Sequence, residues 1–158
     1  MRTPLIAASV VGALALSLSG EASAALGLTL GTAPSFTVTL DGTDQTPAFT
    51  LGMTATGTNG AFNVAASATG FTVGTHTLSP PTVTGVATGA CTGGGCVNAV
   101  NTIASYPILL TGTAQKIYSS ATARAAIPLT ATLTLTVPGN AFSGAYQSTL
   151  TVTVASGP

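Results

Sequence analysis

Thr130-Ala131-Thr132-Leu133-Thr134-Leu135-Thr136-Val137 decides the fold class of this chain. Successive side chains of an extended backbone point to opposite faces. Leu133, Leu135 and Val137 therefore share one face, and Thr132, Thr134 and Thr136 share the other. This period of two marks a strand with one side buried. Two further segments repeat it. In Thr149 to Val154 (TLTVTV) the inward residues are Leu150, Val152 and Val154, and in Ser35 to Leu40 (SFTVTL) they are Phe36, Val38 and Leu40. A slip of one residue would expose three aliphatic side chains and bury threonine hydroxyls. At roughly 1.5–3 kcal/mol per side chain, that loss is comparable with the whole stability of a small domain, so the register is firmly set.

Residues 26–30, 48–54, 61–66, 71–78, 82–87, 106–112 and 123–129 are further strand candidates. Asp41-Gly42, Thr58-Asn59-Gly60, Ser79-Pro80-Pro81 and Pro138-Gly139-Asn140 supply turns between them. Short strands at a spacing of roughly 8–12 residues predict an all-β chain, a sandwich or a barrel, with about seven to ten strands. Residues 98–105 are the one candidate for a short helical turn. The TxT triplets recur at no fixed period, which argues against a β-solenoid.

The first residues read differently. Met1-Arg2 is a short positive start, Leu5 to Leu18 (LIAASVVGALALSL) is a continuous apolar run, and Ala22-Ser23-Ala24 has the small-x-small form of a leader-peptidase site. The run is short for a membrane span of about 20 residues. The reading is a signal peptide over residues 1–24, followed by one β-sandwich domain over residues 25–158, of ordinary domain size. No later stretch of the sequence reads as a membrane span.

Charged residues make up 4% of the chain, against about 25% in most soluble domains. Past the leader only Asp41, Asp44, Lys116 and Arg124 are fully ionised. Four charges that sum to zero build no basic patch, which excludes nucleic acid as a partner and electrostatic docking on an anionic membrane. Such a surface is either hydroxylated by threonine, serine and asparagine or covered in an assembly.

Cys91 and Cys96 enclose Thr92-Gly93-Gly94-Gly95. An even cysteine count in an exported chain predicts a disulfide, and the three glycines let the loop curl until the two Cα atoms come within about 6 Å. A C-x4-C spacing without a partner histidine or second pair does not suit zinc.

Catalytic constellations are missing. His76 is the single histidine and sits on a strand candidate, without a G-x-S-x-G elbow elsewhere. Asp41 and Asp44 lie three positions apart in one turn, too close to face each other across a cleft. They are candidates for a loose calcium site with backbone carbonyls, against an Asx-type turn, which the sequence favours. Tyr106 and Tyr118 are candidate contacts for a glycan, against a core or edge position, which the sequence favours. Tyr146, following Gly144 at the start of the final strand, reads as structural, much as a corner tyrosine does. No cofactor-binding motif is present, and the expected chain is not an enzyme.

The stretch Leu133 to Pro158 (LTLTVPGNAFSGAYQSTLTVTVASGP) resembles the C-terminal end of WxL-type domains of secreted Gram-positive proteins: a strand, a connection from Pro138 through Gly144 and Tyr146, and a closing threonine-rich strand. The resemblance covers about a quarter of the chain beyond the leader. It implies an all-β, immunoglobulin-like antiparallel β-sandwich of Greek-key type and non-covalent attachment to peptidoglycan. The sequence has no tryptophan, so the W-x-L motif itself is absent and wall binding by that motif transfers to no residue here.

These readings converge on a secreted, non-enzymatic cell-surface or extracellular structural protein. Its expected partners are a cell-wall polymer, other surface proteins or itself. A self-assembling fibre, pilin-like or coat-like subunit is the first alternative, since uncharged Thr/Val edges are templates for strand addition. A glycan- or calcium-binding module is the second.

Overall fold

The computed structural model describes residues 8–18, by their backbone, and residues 26–157. Met1-Arg2 and the cleavage motif Ala22-Ser23-Ala24 lie outside the described residues. Among those described there is no helix. Thirteen strands occur: β1 (Ala8–Leu18), β2 (Gly27–Leu30), β3 (Ser35–Leu40), β4 (Ala48–Asn59), β5 (Phe62–Ala68), β6 (Phe71–Val73), β7 (His76–Leu78), β8 (Thr82–Thr88), β9 (Thr92–Val97), β10 (Ile108–Leu109), β11 (Gln115–Ser120), β12 (Arg124–Thr134) and β13 (Gly144–Ser156).

They form two sheets. One runs β11-β5-β13-β1-β3, with the β6–β7 hairpin attached to β13; the other runs β10-β8-β12-β4-β2, with β9 attached to β12. Every pairing is antiparallel except that of β1 with β13, which is parallel. The alternating aliphatic residues meet between the sheets. Leu129, Ala131, Leu133, Leu135 and Val137 from the deciding stretch are buried with Phe36 and Val38 of β3, Phe62 and Val64 of β5, and Leu150 and Val152 of β13. Phe36 stacks on Phe49 of the opposite sheet with ring centroids 5.5 Å apart.

The structure departs from the sequence reading in several places. Residues 98–105 form no helical turn. That segment instead runs beside β11, where Val100 N–H donates to Ser120 Oγ at 3.2 Å and Thr102 N–H to Ser119 O at 2.7 Å. A single turn must fix several residues for one hydrogen bond, and here the backbone has partners without it. Residues 71–78 are two strands, because Gly74 adopts a positive φ of 57° and turns the chain so that Val73 pairs with His76. Residues 106–112 contribute only Ile108–Leu109. The candidates at 123–129 and 130–137 are one strand, β12, which stops at Thr134; Val137 keeps a lone bridge to Gln45. Strands β9 and β11 lack the alternating aliphatic pattern, and with β1 they raise the count above ten.

Pro128 in the middle of β12 has a local explanation. Proline has no N–H to donate to a ladder. On the edge away from β4, β8 pairs with Leu129–Thr134 and β9 with Arg124 and Ala126, so Pro128 falls between the two partners. Its carbonyl accepts the Gly89 N–H at 2.8 Å.

Segment Ala8–Leu18, most of the apolar run read as a leader core, is a strand inside the first sheet. Nine of its residues, Val10 to Leu18, pair with Gly144 to Val152 of β13, and six, Ala8 to Ala13, pair with Leu40 to Ser35 of β3.

Candidate functional site

The two aspartates serve separate turns. After β3 the chain reverses through Gly42, whose φ is +89°. Asp41 Oδ1 accepts Thr43 N–H at 2.9 Å, Thr43 Oγ1–H at 2.6 Å and Gln45 Nε2–H at 3.2 Å. These donors, the Thr43 hydroxyl foremost, favour the ionised form and hold the Asp41 carboxyl below its ordinary value of 3.8. Asp44 Oδ1 accepts the Gly139 N–H at 2.9 Å. The carboxylates thus close an Asx-type turn and tie it to a second turn. No group of three or more His, Cys, Asp or Glu side chains gathers among the described residues.

Tyr106 and Tyr118, the candidate glycan contacts, are turned inward. Tyr118 is buried against Phe62, ring centroids 5.5 Å apart, and its hydroxyl lies 3.1 Å from Thr88 Oγ1. Tyr106 is half-buried; its hydroxyl donates to Ile117 O and receives Asn101 Nδ2–H at 2.9 Å. Burial raises both phenols above the ordinary 10.0. Neither ring is an exposed platform for a sugar face. Tyr146 is buried in the core and its hydroxyl donates to Phe142 O, four residues upstream, at 3.0 Å.

His76 is exposed on β7 and stacks on Phe142, with ring centroids 4.2 Å apart and planes within 6°. No carboxylate or serine hydroxyl bonds to its ring among the described residues. Sequence reasoning gave no signal for this pair, which are far apart in the chain and share no motif. Phe142 is 56% exposed.

Cys91 and Cys96 form a disulfide with Cα atoms 5.9 Å apart. Gly93 and Gly95 take positive φ values of 117° and 66° to close the loop, and Cys91 N–H donates to Asn98 Oδ1 at 2.9 Å. The disulfide closes the loop that carries β9, and the backbone of β9 pairs with Arg124 and Ala126 of β12.

The remaining feature is made of backbone. In the first sheet, β13 carries β5 and β6 on one edge and β1 on the other. Strand β3 pairs with β1 and with no other strand among the described residues. In register, Gly12 of β1 stands opposite a buried residue on each side, Phe36 of β3 and Tyr146 of β13; Val10 is opposite Val38 of β3, and Leu14, Leu16 and Leu18 are opposite Ser148, Leu150 and Val152 of β13. No helix among the described residues is long and apolar enough to cross a membrane. Compared with protein-family models and with curated proteins, the chain matches none.

Proposed function

We propose that this protein is an exported, non-enzymatic structural component of the cell surface, an immunoglobulin-like Greek-key sandwich whose mature part is residues 25–158. One observation carries the reading: the side chains with the most chemistry are engaged in holding the fold. Asp41 and Asp44 fix turns, Tyr106, Tyr118 and Tyr146 hydrogen-bond inside the molecule, and His76 lies flat on Phe142. A catalytic acid, base or nucleophile must reach a substrate atom at hydrogen-bond distance. These groups instead work as struts. The disulfide suits an oxidising compartment. The near-absence of charge and the threonine-rich outer positions suit contact with neutral polymers or with other proteins.

Mass and N-terminal sequence of the protein recovered from the envelope and medium of its producing cells test this. A terminus at Ala25 outside the cytoplasm is the expected result. Protein confined to the cytoplasm with Met1 to Ala24 attached would overturn it. Sedimentation with purified peptidoglycan decides the partner: co-sedimentation assigns the wall polymer, and a protein left in the supernatant assigns other surface proteins.

A further inference from the structure

We propose that removal of the leader opens a strand-wide slot between β3 and β13, and that this slot takes an extended, uncharged segment of a different polypeptide, parallel to β13, with aliphatic residues at alternate positions. The proposal rests on the export reading, because it needs cleavage after Ala24.

Leader position Ala8–Leu18 is the middle of β11-β5-β13-β1-β3. Taking it away leaves β13 anchored by β5 and β6 along one edge and unpaired from Gly144 to Val152 along the other. It leaves β3 without any ladder among the described residues, held to the rest through Phe36 and Val38 in the core. The gap is one strand wide, and nine paired residues of β1 span about 30 Å of it at about 3.3 Å per residue. Two facing rows of unpaired N–H and C=O groups around a shared core are costly to leave open and are the substrate of strand addition.

The register also states what fits. Gly12 stands opposite both Phe36 and Tyr146, the two large rings that flank the slot, and Leu14, Leu16 and Leu18 follow at alternate positions opposite Ser148, Leu150 and Val152. An occupant therefore needs a glycine at the ring pair and aliphatic residues two, four and six positions later. Among the described residues after the leader, no second free segment of this kind remains. Its other alternating stretches, Ser35–Leu40 and the parts of β12 and β13 rich in threonine and leucine, are already strands of the fold. The donor is thus a different polypeptide and not a second copy.

The test uses the full chain, folded first and then cut at a specific protease site placed between Ala24 and Ala25. A fluorescent peptide ASVVGALALSL, the sequence of β1, is the probe. Release of the leader is expected to strip hydrogen-exchange protection from Ser35–Leu40 and from the Gly144–Val152 edge. The peptide is expected to co-elute with the cut protein and restore that protection. A peptide with its aliphatic residues moved to the odd positions is expected to bind at least about tenfold more weakly, since a one-residue shift puts them on the wrong face. Unchanged protection after the leader departs, with no peptide uptake, overturns the slot. Protection that returns without peptide and rises with protein concentration assigns the slot to a second copy and overturns the separate donor. A leader found intact on the protein in cells overturns the export reading and this proposal together, whereas an Ala25 terminus with no peptide uptake overturns the proposal alone.

Discussion

Asp44 Oδ1 accepts the Gly139 N–H at 2.9 Å across 95 positions of sequence, and so joins the turn after β3 to the turn after β12. The contact is close because position 139 has no side chain: a Cβ there would lie 2.5 Å from the Gly42 carbonyl carbon and oxygen and 2.7 Å from Thr43 N. Those are backbone atoms, which cannot rotate aside. Gly139→Ala is therefore expected to destabilise the protein by about 1–3 kcal/mol, as overpacking does. Asp44→Ala loses one exposed hydrogen bond and is expected to cost about 1 kcal/mol or less. Urea unfolding reads both, as a fall in midpoint at unchanged slope; equal effects would contradict the steric account.

Ala125 has φ +78°, a left-handed conformation that suits glycine. It sits at an irregularity in the β12–β4 register, and its carbonyl accepts Thr58 Oγ1–H at 2.7 Å. Ala125→Gly is expected to raise stability by up to about 1 kcal/mol, the relief of strain outweighing the added freedom of the unfolded chain. A rise in melting temperature is the readout. A fall would show that the Ala125 methyl group contributes packing that the backbone term does not outweigh.

Acid and alkali act on opposite groups. The folded Asp41 carboxyl titrates below its unfolded value of 3.8, so its contribution is present above that pH and is lost as pH falls through the folded value. Tyr118 and Tyr106 titrate above 10.0 when folded, by burial first. Their contribution is present below pH 10.0 and is lost as pH rises through the folded values. Thr43→Ala removes the strongest donor to Asp41 and is expected to flatten the acid limb while leaving the alkaline limb in place. Tyr118→Phe is expected to do the reverse. Unfolding midpoints followed from about pH 3 to pH 11 check both signs.

The strands that carry the core were legible because aliphatic and threonine side chains alternate in them. Leu133, Leu150 and Phe36 fall on the buried side as their spacing predicts. Strands β9 (TGGGCV) and β11 (QKIYSS) were not legible, since the first has no aliphatic period and the second buries Ile117, Tyr118, Ser119 and Ser120 in succession. Their pairing partners, not their own residues, make them strands. The place of residues 8–18 was equally hidden. A continuous apolar run reads as a leader core whatever it does afterwards, and the even-numbered match to β3 and β13 exists only once those strands are side by side. Of the candidate site residues, Asp41 announced its turn through the following Gly42, while the partners of Asp44, His76 and Tyr106 are fixed by tertiary contacts that local sequence does not carry.

The disulfide closes a very short loop, so its effect is expected to be local and modest. The chain-entropy model gives about 2 kcal/mol for a loop of this size. Cys91→Ser with Cys96→Ser is expected to lower stability by no more than that, and to raise amide exchange in Thr92–Val97 and at its β12 partners Arg124 and Ala126. The core of β5 and β13 is expected to keep its protection. Global loss of protection on reduction would give the bond a role across both sheets that its position does not support.

Phe36 is where β3 is held. Its ring stacks on Phe49 at 5.5 Å and meets the edge of Phe71 at 5.6 Å, while the backbone of β3 hydrogen-bonds to β1 alone among the described strands. Truncating this ring removes the apolar anchor of a strand that has no second ladder. Phe36→Ala is expected to cost about 3–5 kcal/mol, and Phe36→Leu less, since it keeps most of the volume. Hydrogen exchange distinguishes this from general core damage. Ser35–Leu40 is expected to lose protection at far lower denaturant than β4, which keeps β12 and β2 on its two edges. Simultaneous loss from β3 and β4 would mean that β3 is held by the sheet and not by the ring.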